Sequence, residues 1–307
     1  MTEQLPPDVI AQLTGISPEI TPDLVATSWA LLTPFHDKAG YTAPKIDRDL
    51  RYGEHERHRL DVHTQGGTGG QGGARAGAGA PVFVFVHGGG FVRGDKHVPG
   101  SPQYDHIGAW AVRNGWVGVT ITYRLAPEHT WPAGAQDLAA ATAWVRDNIA
   151  AYGGDPARIV VAGQSAGAVH VASYVTGQAG AGETSGSLDG VRGAAIMSGF
   201  YALSADERGE PEHLYYGDTP AAAADTLNGL VSAAIPLFFS VAEKDPPFFQ
   251  QQAARLVAAW FAAHQAVPNL VHVAGHNHIS EIASIGVDDT VLGAPLARFV
   301  NRVTATA

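Results

Sequence analysis

The chain has 307 residues, 45% hydrophobic and 16% charged, the profile of a globular protein with a large core rather than a disordered one. A formal charge of -10 opposes the basic surface that sequence-independent nucleic-acid binding needs, and the absence of cysteine removes disulfides, thiolate metal sites and cysteine nucleophiles. No run reaches the roughly 18 apolar residues of a membrane span, and Met1-Thr-Glu-Gln-Leu-Pro-Pro-Asp8 lacks the basic and apolar regions of a signal peptide, so a cytoplasmic location is expected.

Residues 1–45 precede any regular alternation of elements. The stretch Arg51–His63 has a rough period of two and predicts an antiparallel edge ribbon. Its histidines, His55, His58 and His63, make a metal site conceivable, but no carboxylate-bracketed ligand spacing accompanies them. A period of two puts His55 and His63 on one face and His58 on the other, so they are read as surface histidines and no metal is expected. Residues 66–80 are glycine-rich and predict a flexible loop joining two strands. A phosphate cradle would need a strand directly before and a helix directly after, and neither is present.

From residue 81 onward, short β-branched or aromatic runs alternate with amphipathic segments. The runs are 81–86, 116–123, 158–162, 191–197 and 235–241, with 269–274 as a last strand. Such runs suit strands buried on both faces of a mostly parallel sheet. The helix-like segments are roughly 101–114, 134–151, 166–177, 247–264 and 291–302. Strict alternation of this kind predicts an α/β fold with a doubly wound sheet, in one domain spanning 1–307. Residues 200–232 are longer than one crossover helix needs, and with residues 1–45 they are where a small cap over a site would be built.

Gly163-Gln-Ser165-Ala-Gly167 lies directly after one strand run and before a helix-like segment. A sharp strand-to-helix turn exposes a serine on strained backbone, and the positions two before and two after it must lack bulk. The helix N-terminus also favours developing negative charge. His87-Gly88-Gly89-Gly90-Phe91 follows another strand run, and three glycines in succession leave backbone N–H groups unshielded, as an oxyanion hole requires. Gly89, Gly90 and Ala166 are the candidate N–H donors, with Gly88 a fourth. An ordinary tight loop explains either motif alone, but not both in this order.

With Tyr123-Arg-Leu-Ala-Pro-Glu128 and Gly153-Gly-Asp-Pro156 added, residues 48–300 resemble the hormone-sensitive-lipase-like carboxylesterases of the α/β-hydrolase superfamily and their kynurenine-formamidase-like relatives. The resemblance implies about eight strands, a small cap, no cofactor, and a nucleophile, acid and histidine in that order. Ser165 then takes the nucleophile's place. Asp245, before Pro246-Pro247, matches the family's acid in preference to Glu243, and His278-Ile-Ser matches its histidine in preference to His276. Gln164 and Ala168 depart from the family's usual Asp and Gly, and His278 is not followed by the usual Gly-Phe pair, which draws the chain toward the formamidase-like branch. Phe91, Gln164, Trp131, Phe200 and Phe248 are candidate pocket walls, with Phe249 beside them. His170 and Tyr174 are read as core or inter-helix contacts.

The expectation is therefore a serine carboxylesterase for small to medium esters, acting through an acyl-enzyme. The alternatives are an amidase or formamidase with the same triad, or a non-catalytic receptor on the same scaffold. A small-molecule ester is the expected partner, and self-association into a homodimer is compatible with the sequence.

Overall fold

Apolar alternation within the strands dictates the layers. In the run 82–86, Val82, Val84 and Val86 enter one hydrophobic cluster while Phe83 and Phe85 enter another. Ile159 and Val161 divide in the same way from Val160 and Ala162, as do Ala194 and Ile196 from Ala195 and Met197. A sheet with both faces apolar needs helices on both sides, and the computed structural model, describing residues 5–66, 79–180 and 187–306, has that arrangement.

Eight strands form the sheet: β1 (Lys45–Arg51), β2 (Arg59–Thr64), β3 (Ala80–Val86), β4 (Val117–Ile121), β5 (Gly154–Gln164), β6 (Val191–Met197), β7 (Leu237–Lys244) and β8 (Leu270–Asn277). Their order is β1-β2-β4-β3-β5-β6-β7-β8. β2 runs antiparallel to both β1 and β4, and the remaining neighbours are parallel. The helices are α1 (Pro7–Gly15), α2 (Pro22–Ala39), α3 (Asp105–Arg113), α4 (Ala133–Asn148), α5 (Ala166–Val175), α6 (Glu210–Tyr216), α7 (Ala221–Ala224), α8 (Leu227–Val231), α9 (Pro247–His264), α10 (Ser280–Ala283) and α11 (Ala294–Val303). Leu138 of α4, Val171 of α5 and Leu256 of α9 fill one face; Ile107 and Trp110 of α3 and Phe299 of α11 fill the other. No helix among the described residues is long and apolar enough to cross a membrane.

The N-terminal helices have a separate anchorage. Thr21 caps α2 through a 3.1 Å bond from Leu24 N–H, with proline at the first helical position. Leu13, Trp29 and Leu32 pack with Ala283 of α10, and the His36 ring bonds the Ala283 carbonyl at 2.7 Å.

The ribbon differs from its sequence reading. It begins at Lys45, and residues 52–58 make the turn, so a period of two does not govern His55 and His58, whose rings lie 5.5 Å apart. Nor is His63 a surface residue: it is fully buried beside Thr120. The burial of its ring lowers its pKa to about 4. Most of the glycine-rich stretch, 67–78, lies outside the described residues.

Candidate functional site

β5 ends at Gln164, α5 begins at Ala166, and Ser165 stands between them with φ 56° and ψ −123°. A serine in that region carries roughly 1–3 kcal/mol of backbone strain, sustained only because the surroundings fix it. The two flanking glycines show why the turn closes. A Cβ on Gly163 would lie 2.3 Å from the Gly167 carbonyl oxygen, and one on Gly167 would lie 2.2 Å from the carbonyl of Val86 in β3. Ser165 N–H donates to Met197 O at 3.0 Å, which ties the elbow to β6. Ser165 is half-buried while its neighbours on both sides are buried, so it is the point of the turn that solvent reaches.

The loop after β3 wraps in front of this elbow. Gly88 is tightly packed against the elbow, since a Cβ there would sit 3.0 Å from Gln164 Oε1 and 3.2 Å from the Cβ of Ser165. Gly89 adopts φ 127° and Gly90 φ 59°, conformations costly to residues bearing a Cβ. The carbonyls of the loop are held backward: His87 Nδ1–H donates to Gly88 O at 2.6 Å, and Tyr123 O–H donates to His87 O at 3.0 Å. Complete burial pushes the His87 pKa down to about 3, so this ring works as a neutral strut.

The acid and the histidine come together at the ends of β7 and β8. His278 Nδ1 lies 2.5 Å from Asp245 Oδ1, and both residues are buried. Asp245 Oδ2 accepts from Ser198 O–H at 2.6 Å and from Ala242 N–H at 2.7 Å. The other imidazole nitrogen, His278 Nε2, is buried with no hydrogen-bond partner. Gln164 Nε2 donates to the His278 carbonyl at 2.9 Å, seating the histidine against the elbow. The two rival residues go elsewhere. Glu243 is exposed and accepts from Gly275 N–H at 2.9 Å, and His276 Nδ1 lies 3.2 Å from Ser280 Oγ.

Phe91, Trp131, Phe200 and Phe248 all join one apolar cluster with Ala166 and Phe249. Phe249 covers the His278 ring at 4.4 Å between centroids. Gln164 is buried, and its side chain is engaged by the His278 carbonyl rather than joining the apolar cluster. Helix α6, which no local pattern marked, lies over the glycine loop. Pro211 sits 3.4 Å from where a Gly90 side chain would begin, and Tyr215 stacks on Phe91 at 4.3 Å and 3°. A surface cleft of about 640 Å³ bounded by Leu203, Glu207, Ala221, Asp225 and Arg255 touches none of Ser165, Asp245 or His278.

Two other groups of side chains bear on metal binding. Asp61, His63 and Asp105 cluster with their ligand atoms within 4.8 Å of one another. Their carboxylates already serve Arg48, 2.7 Å from Asp61 and 2.6 Å from Asp105, and Lys96, 3.1 Å from Asp61. The group is a buried ion network whose cations stand where a metal's charge would be required. His55 and His129 meet at 3.2 Å through their Nε2 atoms, and His55 Nδ1 accepts from Arg57 N–H. That bond leaves the His55 proton on Nε2, which points a hydrogen rather than a lone pair at His129.

The sequence compares with known proteins on the same footing. A family model described as the alpha/beta hydrolase fold matches residues 83–281. Esterase LipQ of Mycobacterium tuberculosis is 33% identical over 221 residues, covering 67% of this chain and 51% of that protein. Carboxylesterase NlhH of the same organism is 49% identical over 89 residues, 28% of this chain and 26% of its own length. The chain thus spans about half the length of the first of these relatives and about a quarter of the second. Among solved structures, an esterase from Pyrobaculum calidifontis superposes with a TM-score of 0.66 at 21% identity, covering 98% of this chain and 100% of that one. The thermostable carboxylesterase EstE1, from a metagenomic library, gives 0.65 at 22%, over 95% and 99%. The matched region runs from β3 to α10 and takes in the glycine loop, the elbow and the Asp245–His278 pair, and the chain belongs to the alpha/beta hydrolase fold family.

Proposed function

We propose that this protein is a serine carboxylesterase with Ser165 as nucleophile, His278 as base and acid, and Asp245 as the carboxylate that orients the histidine. The observation that carries the reading is His278. Its Nδ1 is fixed by Asp245, and its Nε2 is left without a hydrogen-bond partner. A neutral imidazole whose Nδ1 keeps the proton presents Nε2 as an acceptor.

Serine hydroxyls are weak nucleophiles until a base takes the proton. In the proposed reaction Ser165 Oγ attacks the ester carbonyl while Nε2 receives its proton. Asp245 stabilises the imidazolium without being protonated itself. The carbonyl oxygen becomes an oxyanion in front of the Gly89, Gly90 and Ala166 N–H groups, with Gly88 packed behind, each donor contributing about 2.7–4 kcal/mol. The imidazolium then gives its proton to the departing alcohol, leaving an acyl-enzyme. Water, deprotonated by the same nitrogen, releases the acid. No residue in this scheme calls for a cofactor.

Residues 200–232 and the first two helices serve as the cap in this reading. α6 closes on the glycine loop, and Phe200, Phe248, Phe249 and Trp131 bound the acyl side, which supports small to medium acyl groups. The esterases matched in sequence favour an ester over an amide. The test is a rate panel on p-nitrophenyl acetate, butyrate and laurate, with N-formylkynurenine in parallel and fluorophosphonate labelling of Ser165. Ester turnover that falls from butyrate to laurate, with label on Ser165, supports the proposal. Faster turnover of the formamide, or no labelling, overturns it.

A further inference from the structure

A third acidic residue stands behind the candidate triad. Glu281 lies on α10, three residues beyond His278, and is fully buried. Its carboxyl is beside the Ser198 and Ser240 hydroxyls but closes a hydrogen bond of good geometry with neither, and Ser240 Oγ is likewise buried without a partner. Ser198 is also the residue whose hydroxyl grips Asp245 Oδ2, and it does so from a left-handed backbone with φ 42°. Its N–H bonds the Ser240 carbonyl at 3.0 Å, so the two serines form one layer between the carboxyls. A strained serine in contact with the acid on one side and an unused buried carboxyl on the other is the kind of position a fold keeps where geometry is over-determined.

We propose that Glu281 is a positioning residue for the ester hydrolysis: the buried carboxyl behind Asp245 that, through Ser198 and Ser240, holds the acid in register with His278. This rests on the triad reading given above. The backbone of α10 is placed for the task. His36 of α2 and His106 of α3 bond the carbonyls of Ala283 and Ile282 at 2.7 and 3.1 Å. Burial makes both rings neutral, with pKa values near 4 and 3, so neither offers Glu281 a positive charge. The charged group acting on Glu281 is Asp245, past the end of β7, and the other titratable group facing it is Tyr201, past β6.

Burial and the negative charge of Asp245 therefore raise the Glu281 carboxyl to about 8. As a neutral acid it has a proton to give the serine layer. Once ionised it places a second negative charge against Asp245 and pushes the acid out of line.

The experiment measures kcat and KM against pH for wild type, Glu281→Ala, Glu281→Gln and Asp245→Asn on p-nitrophenyl acetate. An infrared titration of the protonated carboxyl band of the wild-type protein is run alongside. Loss of the carboxyl in E281A, which leaves the serine layer behind Asp245 unsupported, should lower kcat about tenfold, with KM little changed. The neutral isostere E281Q should restore kcat to within about threefold of wild type and hold its plateau above pH 8, where the wild type declines. The infrared band should disappear across the same pH range and be absent from E281Q. Should E281A fail to fold, E281Q and the infrared titration decide alone. Wild-type kcat in E281A, an alkaline decline in E281Q equal to that of the wild type, or no protonated carboxyl at neutral pH would each overturn the proposal. Full turnover in D245N would instead remove the triad on which it stands.

Discussion

Asp245→Asn isolates the position of one proton. Asp245 has its Oδ1 on His278 Nδ1 at 2.5 Å and its Oδ2 on two donors, Ser198 O–H and Ala242 N–H. An asparagine must choose which end carries its NH₂. Turned toward Ala242, the NH₂ meets a backbone donor that cannot rotate away, and a buried donor left unsatisfied costs about 1–3 kcal/mol. The amide therefore keeps its oxygen at the Oδ2 position and points NH₂ at Nδ1. The imidazole can then accept that hydrogen only by moving its own proton to Nε2, the atom that must accept from Ser165. The same exchange in a serine-protease triad lowers kcat about 10⁴-fold, about 5.4 kcal/mol at 1.36 kcal/mol per decade. Steady-state hydrolysis of p-nitrophenyl acetate should show a kcat lower by about 10⁴ and a KM within about threefold of wild type. Thermal unfolding should stay close to wild type, since both Oδ2 bonds survive. A kcat within about tenfold of wild type would refute the tautomer argument and the triad with it.

Three further outcomes follow from the packing and the titrations. Gly167→Ala places a methyl group 2.2 Å from Val86 O, so chemical denaturation should register a loss of more than about 3 kcal/mol or no folded protein; a variant of wild-type stability would contradict the close approach at the elbow. Phe249→Ala removes a ring from the His278 face, and should shift the ratio of hexanoate to acetate kcat/KM upward by about tenfold at a stability cost of about 3 kcal/mol; an unchanged ratio would remove Phe249 from the acyl boundary. Burial lowers His63 to about 4 and His87, His106 and His170 to about 3, below the 6.5 of an unfolded histidine. Their stabilisation is present above pH 6.5 and is lost as pH falls from there toward 4 and 3, so urea midpoints should drop across that window, and a flat profile would mean these rings are not buried neutral.

The strands were legible because both faces of the sheet are apolar. The runs at 81–86 and 191–197 read as strands without any knowledge of their neighbours, and β3 and β6 occupy nearly those bounds. The elbow was legible because sterics impose it locally: Gly163 and Gly167 touch backbone. The pairing of Asp245 with His278 was less so. Glu243 and His276 lie only two residues away in the sequence, and what separates the pairs is that Asp245 and His278 fall just beyond their strand ends. The ribbon histidines were misread because a turn interrupts the alternation at 52–58. Ser198, Glu281 and the seat of α6 on the glycine loop left no mark at all, since a buried carboxyl or a helix laid over a loop depends on contacts between segments tens of residues apart.

The candidate site is spread over the C-terminal ends of β3, β5, β7 and β8, four members of a run of six neighbouring parallel strands. A chain emerging from the ribosome holds its candidate nucleophile long before the imidazole exists, and more than a hundred residues must still be made after Ser165 before His278 is in place. On the proposed triad, half-synthesised copies should be chemically inert and turnover should start only when the far edge of the sheet has joined the rest, so the onset of activity during synthesis would itself be a clock for completion of the fold.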